Sequence, residues 1–265
     1  MADAVAMETK RADLGGVEIA YADVGPAAGV SPRPVPVLLI HGFASNRTVN
    51  WIATSWTGTL SRAGYRVVAL DNRGHGESTK LYRPEDYDTS LMAADAVGLL
   101  DRLGIERAHV MGYSMGARIT AYTALEHPDR VETVLLGGLG IHLVEGVGLP
   151  LGIADAMEAP SLAALTDPMQ RMFRAFAEQT KSDLKALAAC IRGSRQTLTK
   201  DEVARISHPT LVSVGTRDPI AGSPHELADL LPRGQALDIP GRDHNLAVGD
   251  RVHKEGVLAF LAEAR

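Results

Sequence analysis

Apolar positions along the chain fall into two alternating periods. Residues 17–21 (Val-Glu-Ile-Ala-Tyr) read as an early strand, hairpin-paired with the segment before it, while residues 1–12 otherwise read as a loose end. Residues 26–36 are rich in Pro, Gly and Ala and predict a loop. Short continuous apolar runs follow at 37–40, 65–70, 108–113 and 131–136, the mark of strands buried on both faces. Helical periodicity fills the gaps: a stretch around 51–63 stopped by Gly64, one at 90–103 ending at Gly104, and one from Ala117 that closes at His127-Pro128. Strands alternating with helices of this length predict βαβ units, hence an α/β fold with a mostly parallel, eight-stranded sheet and helices on both faces.

The alternation breaks between 141 and 206. Met169, Met172, Phe173 and Phe176 recur at i, i+3, i+4 and i+7, and Leu184, Leu187, Ala188 and Ile191 repeat that spacing in a second helix ended by Gly193. Thr199 and Glu202 form a capping box for a third. Strand signals resume at 210–215 and 236–239, with a helix started by Ser223-Pro224 between them and a final helix running to the C-terminus. The expected organisation is an α/β core from 1–140 and 207–265, interrupted by a helical lid at 141–206.

Length and composition narrow the classes. A chain of 265 residues with 45% hydrophobic and 22% charged residues can build a sizeable core. Its net charge of −5 argues against a nucleic-acid or anionic-membrane partner. A single cysteine, Cys190, forms no internal disulfide. Residues 1–10 lack the basic and apolar regions of a secretory signal, and no apolar run approaches membrane-spanning length, so a soluble, cytoplasmic protein is expected. No internal repeat or low-complexity tract is visible.

Candidate chemistry centres on Gly112-Tyr113-Ser114-Met115-Gly116, which joins an apolar strand signal to a helical one. A sharp strand-to-helix turn lifts the serine hydroxyl above the sheet edge, beside the free N–H groups of the helix start. A serine hydroxyl is a weak nucleophile until a base takes its proton, and the base needs an acid to fix its tautomer. Both follow in the chain, each just past a predicted strand: Asp218 in Gly215-Thr216-Arg217-Asp218 and His244 in Arg242-Asp243-His244-Asn245. All three sit at carboxyl ends of parallel strands, where open α/β sheets place their sites.

Together with His41-Gly42-Phe43 and Asp71-Asn72-Arg73-Gly74-His75-Gly76-Glu77-Ser78, these segments resemble the α/β-hydrolase fold superfamily, in its compact serine-esterase branch. The resemblance runs from about residue 17 to the C-terminus. It implies Ser114 as nucleophile, His244 as general base then acid, Asp218 as its orienting partner, and an oxyanion hole from the backbone N–H groups of Phe43 and Met115. It also implies a cofactor-free hydrolase of a small-molecule carboxylic ester or lactone. Asp218 competes with a turn-capping role before Pro219, and the family's other position for the acid, after the preceding strand, offers only Gly137-Gly138-Leu139.

Other motif residues carry plainer readings. His41 and His75 are expected to pack and hydrogen-bond below the site, Asp71 and Arg73 to hold a turn, Asp243 to be a turn residue, and His127, His208, His225 and His253 to be surface or capping residues. Gly137-Gly138-Leu139-Gly140 lacks the spacing and acidic partner of a dinucleotide fingerprint, and no cluster has metal-ligand spacing. The Met/Phe stripe at Met169, Met172, Phe173 and Phe176 fits either ordinary core or the inner face of a lid over Ser114. Two other functions stay open on the same scaffold: carbon–carbon bond hydrolysis, weakened by Asn245 where those relatives carry an aromatic residue and kept open by Asn50-Trp51, and a slow-turnover ligand receptor. An epoxide hydrolase or dehalogenase is disfavoured, since those relatives place Asp where this chain has Ser114.

Overall fold

The computed structural model describes residues 8–146 and 152–264. Its strands are β1 (Lys10–Asp13), β2 (Glu18–Val24), β3 (Val37–Ile40), β4 (Val67–Leu70), β5 (Ala108–Tyr113), β6 (Val131–Gly137), β7 (Thr210–Gly215) and β8 (Gly234–Ile239). They form one sheet in the order β1-β2-β4-β3-β5-β6-β7-β8, antiparallel at the β1-β2-β4 edge and parallel from β4 to β8. The expected α/β class and strand number hold. Part of the expected loose end is strand: β1 pairs with β2 from Lys10↔Tyr21 to Asp13↔Glu18, and Arg11 anchors it by donating to Glu18 Oε1 at 2.8 Å and Glu77 Oε2 at 3.0 Å.

The α-helices are α1 (Trp56–Arg62), α2 (Thr89–Arg102), α3 (Met115–Glu126), α4 (His142–Glu145), α5 (Gly152–Glu158), α6 (Pro168–Gln179), α7 (Leu184–Gly193), α8 (Lys200–Ala204), α9 (Pro224–Leu230) and α10 (Arg251–Glu263). Strands β3 and β5 are buried along their whole length because each face carries its own core. Leu38, Ile40 and Val110 pack with residues of α2, α3 and α9 on one side; Leu39, Met111, Trp56 and Phe260 pack on the other. Between β6 and β7 the described chain is helical, from α4 to α8. The capping box is formed as expected, with Glu202 N–H donating to Thr199 Oγ1 and Thr199 N–H donating to Glu202 Oε2.

The helical stretch expected around 51–63 is split. A π-helical turn spans Thr48–Ile52, and Ser55 takes a left-handed φ of 66° before α1 begins. In one unbroken α-helix Trp51 and Trp56 would point roughly 140° apart. The break lets both indoles reach the same core, where they meet edge-to-face at 6.3 Å and are fully buried. His253, read from sequence as a surface or capping residue, lies in this core against Trp56 at 5.0 Å. Its position on the inward face of α10 outweighs its polarity, and its Nδ1 donates to the carbonyls of Ala247 and Val248 at 3.2 Å.

Candidate active site

Strand β5 delivers Ser114 to the sheet's carboxyl edge, and α3 leaves from the next residue. Ser114 holds φ 55° and ψ −115°, a strained backbone for a residue with a Cβ, and its N–H donates to the Gly137 carbonyl at 2.7 Å. Two glycines make the turn sterically feasible. A Cβ on Gly112 would run into the Gly116 carbonyl, and one on Gly116 into the Ile40 carbonyl. As the first residue of α3, Met115 has no helical acceptor for its N–H. Neither it nor the Phe43 N–H has a hydrogen-bond partner among the described residues.

The loop carrying Phe43 is held from below. His41 Nε2 accepts the Asn72 N–H at 3.0 Å, so its Nδ1 carries the proton and donates to the Gly42 carbonyl at 2.8 Å. Burial pushes the His41 pKa down to about 4, against the Gly42 hydrogen bond and with the Arg47 charge, so the ring stays neutral. His75 packs edge-on against both His41 and Phe43, and burial lowers its pKa to about 3. Both histidines therefore serve as packing and loop-bonding groups, as expected. Asp71 and Arg73 hold turns, but not with each other. Asp71 accepts from the Arg47 guanidinium and from the N–H groups of Arg47 and Glu77, whereas Arg73 grips Asp95 through Nε at 2.6 Å and Nη2 at 2.7 Å.

Beyond β7, the Asp218 side chain is fully buried and both of its oxygens accept hydrogen bonds. Its Oδ1 accepts from the Ile220 N–H at 2.8 Å and the Ala221 N–H at 3.1 Å. Oδ2 accepts from His244 Nδ1 at 2.7 Å. With the proton on Nδ1, the lone pair of His244 is on Nε2. The ring rests on Tyr113 at 5.4 Å, and the Tyr113 hydroxyl donates to the His244 carbonyl at 2.6 Å. Asp243 is a turn residue as expected, its carboxylate accepting from the Asn245 and Leu246 N–H groups.

Ser114 and His244 line one cavity of about 320 Å³, together with Gly42, Phe43, Phe173 and Phe176. The expected Met/Phe stripe thus divides. Phe173 and Phe176 face this cavity, Met169 packs against the core, and Met172 is 41% exposed and points to solvent. The physical reason is angular: Met172 precedes Phe173 by about 100° on α6, enough to leave the narrow buried face. Two participants, Arg118 and Arg195, escaped the reading of the sequence, and Asn50 was singled out there only together with Trp51. Asn50 lines the cavity, and its Oδ1 accepts the Gly42 N–H at 3.2 Å. Arg118 and Arg195 border a second, smaller cavity that also reaches Ser114. The position of Arg118 four residues after Ser114 was a usable helical signal; nothing local to Arg195 was. Among the described residues no group of His, Cys, Asp or Glu side chains is arranged to hold a metal ion, and no helix is long and apolar enough to cross a membrane.

Comparison with known proteins agrees with this fold. The family model described as alpha/beta hydrolase fold matches residues 35–144. A non-heme chloroperoxidase of Streptomyces lividans is 29% identical over 280 residues, covering 93% of this chain and 96% of that protein. Epoxide hydrolase A of Mycobacterium tuberculosis is 39% identical over 125 residues, a match that covers 46% of this chain and only 35% of its own length. Among solved structures, a hydrolase from Pseudomonas aeruginosa superimposes with a TM-score of 0.75 at 26% identity, covering 97% of this chain and 99% of that one. The chain has the α/β-hydrolase fold.

Proposed function

We propose that the protein is a serine hydrolase that cleaves a carboxylic ester or lactone through an acyl-enzyme, with residues 141–206 acting as a lid over the site. The observation that carries this reading is the 2.7 Å bond from His244 Nδ1 to Asp218, on a histidine that shares its cavity with Ser114. Asp218 holds the imidazole in the tautomer whose Nε2 can accept a proton. Ser114 Oγ attacks the ester carbonyl carbon while that proton passes to Nε2. The negative charge on the carbonyl oxygen meets the unpartnered N–H groups of Met115 and Phe43, donors already fixed in place; one such donor is typically worth about 10²–10³ in rate.

Collapse of the tetrahedral species breaks the bond to the alcohol oxygen, and His244 returns the proton to it. Water then attacks the acyl-serine, His244 takes a water proton, and release of the acid restores the Ser114 hydroxyl. Epoxide opening fits poorly here. A serine oxygen attacking an epoxide carbon would leave an ether, which this machinery has no means of hydrolysing, whereas a carboxylate nucleophile leaves an ester. The likeness to the Streptomyces lividans chloroperoxidase favours one variation, hydrogen peroxide replacing water in the second half to yield a peracid.

Ser114→Ala tests the reading. Folded variant protein is expected to lose turnover of a short-chain p-nitrophenyl ester down to the solution background. Undiminished hydrolysis would mean that the nucleophile is another residue.

A further inference from the structure

Ser114 borders two cavities of opposite character. The larger, beside His244, Phe173 and Phe176, is lined by no Asp, Glu, Lys or Arg among the described residues. The smaller, about 60 Å³, is bounded by Met115, Ile191 and Ile220 on one hand and by Arg118 and Arg195 on the other, with no carboxylate among the described residues of its wall. Arg118 lies one turn into α3, its N–H donating to the Ser114 carbonyl at 3.2 Å, so its guanidinium is carried to the same side as the serine.

Cations out of water are ordinarily matched by anions. The buried arginines of this chain obey that rule: Arg47 meets Asp71 and Glu77, Arg73 meets Asp95, and Arg174 meets Glu178. Arg118, half-buried at the cavity wall, has no such match. Among the described residues its guanidinium meets a carbonyl, with Nη1 donating to Gln196 at 2.5 Å, and no carboxylate. Burial holds its pKa below the ordinary value, against the pull of Tyr122, and the Arg195 charge pushes it the same way. Two like charges converge on a small cavity that opens onto the candidate nucleophile, and an anion entering there would relieve both the repulsion and the missing counter-charge.

We propose that this cavity is the acyl subsite for a short acyl group ending in a carboxylate, with Arg118 and Arg195 binding the carboxylate while the apolar cavity receives the leaving alcohol. The division follows from proton transfer: His244 lines the larger cavity alone, and the group that receives its proton is the departing alkoxide. The substrate class is the mono-ester of a short dicarboxylic acid, and hydrolysis consumes one water to give the dicarboxylate, an alcohol and one proton. The inference rests on the proposed roles of Ser114 and His244. The small volume limits the acyl chain to a few atoms beyond the carbonyl.

The test compares two esters of equal chain length, p-nitrophenyl monoglutarate and p-nitrophenyl pentanoate. Wild-type kcat/KM is expected to favour the anionic ester by about tenfold or more, and Arg118→Met to reduce that ratio about 10–100-fold, the range for charge-assisted hydrogen bonds. Free glutarate is expected to bind Ser114→Ala protein by calorimetry, and the added Arg118→Met to abolish binding. A wild-type preference for the neutral ester, with no glutarate binding, overturns the proposal. Should Arg118→Met not fold, the wild-type ratio and Arg195→Gln decide the matter by the same criteria. Glutarate bound through Arg118 by a protein that turns over neither ester would leave the anion site standing and remove the hydrolase reading; neither binding nor turnover removes both.

Discussion

Replacing Asp218 with asparagine changes one atom in a place where the surroundings dictate how the new amide must sit. The Oδ1 position receives two N–H donors, from Ile220 at 2.8 Å and Ala221 at 3.1 Å. An amide NH₂ turned toward them would set donor against donor, so the asparagine oxygen is held there and the NH₂ faces His244 Nδ1. That nitrogen must then accept, and the imidazole proton moves to Nε2, where the proton of Ser114 should go. The wrong tautomer in a serine–histidine–carboxylate site costs about 10⁴ in kcat, or about 5.4 kcal/mol at 1.36 kcal/mol per decade. Steady-state hydrolysis of p-nitrophenyl butyrate, with far-UV circular dichroism to verify folding, measures it. Asp218→Ala, which enforces neither tautomer, is expected to fall no further than Asp218→Asn. An asparagine variant within about tenfold of wild type would refute the assignment of Asp218 as the orienting group and with it the tautomer argument.

Two further outcomes follow from the frame around the site. Gly116→Ala drives a methyl into the Ile40 carbonyl, so a loss of about 1–3 kcal/mol is expected, read as a lowered Tm together with a lowered kcat as the Met115 N–H shifts; an unchanged Tm would contradict the packing. The buried rings of His41, His109 and His253 have pKa values lowered to about 4, and His75 to about 3, chiefly by burial. Above pH 6.5 both folded and unfolded forms are neutral and nothing is lost. Below it the unfolded chain takes up protons that the folded form refuses, so stability falls from pH 6.5 toward about 4, at up to about 1.4 kcal/mol per pH unit for each ring. Urea midpoints between pH 7.5 and 4.5 measure the slope, and uptake of less than about one proton on unfolding would refute the burial of these rings.

What the chain alone determined is whatever depends on neighbours in sequence. Apolar runs at 37–40 and 108–113 are strands because so many adjacent apolar side chains can be buried together only on both faces of a sheet. Gly112 and Gly116 flank Ser114 because the turn has no room for a Cβ, a constraint legible in the Gly-x-Ser-x-Gly spacing. Asp218 and His244 were legible as candidates because each follows a strand, and strand ends in a parallel sheet collect on one edge.

Only the tertiary structure decided what depends on contacts across the fold. The hairpin before residue 17 was legible, but its reach into residues 10–12 of the expected loose end depends on Glu77, more than sixty residues away. The break before Trp56 came from the need of two indoles to share one core, against the local helical signal. On α6, the same periodicity that predicted an apolar face did not say that Met172 would miss it, because the width of the covered face depends on what packs there. Arg118 had a helical signal toward Ser114, but its meeting with Arg195 had none, since the segment after α7 is brought to α3 only by the fold. Local periodicity records how each segment partitions its side chains; which partitions meet is decided when the whole chain excludes water.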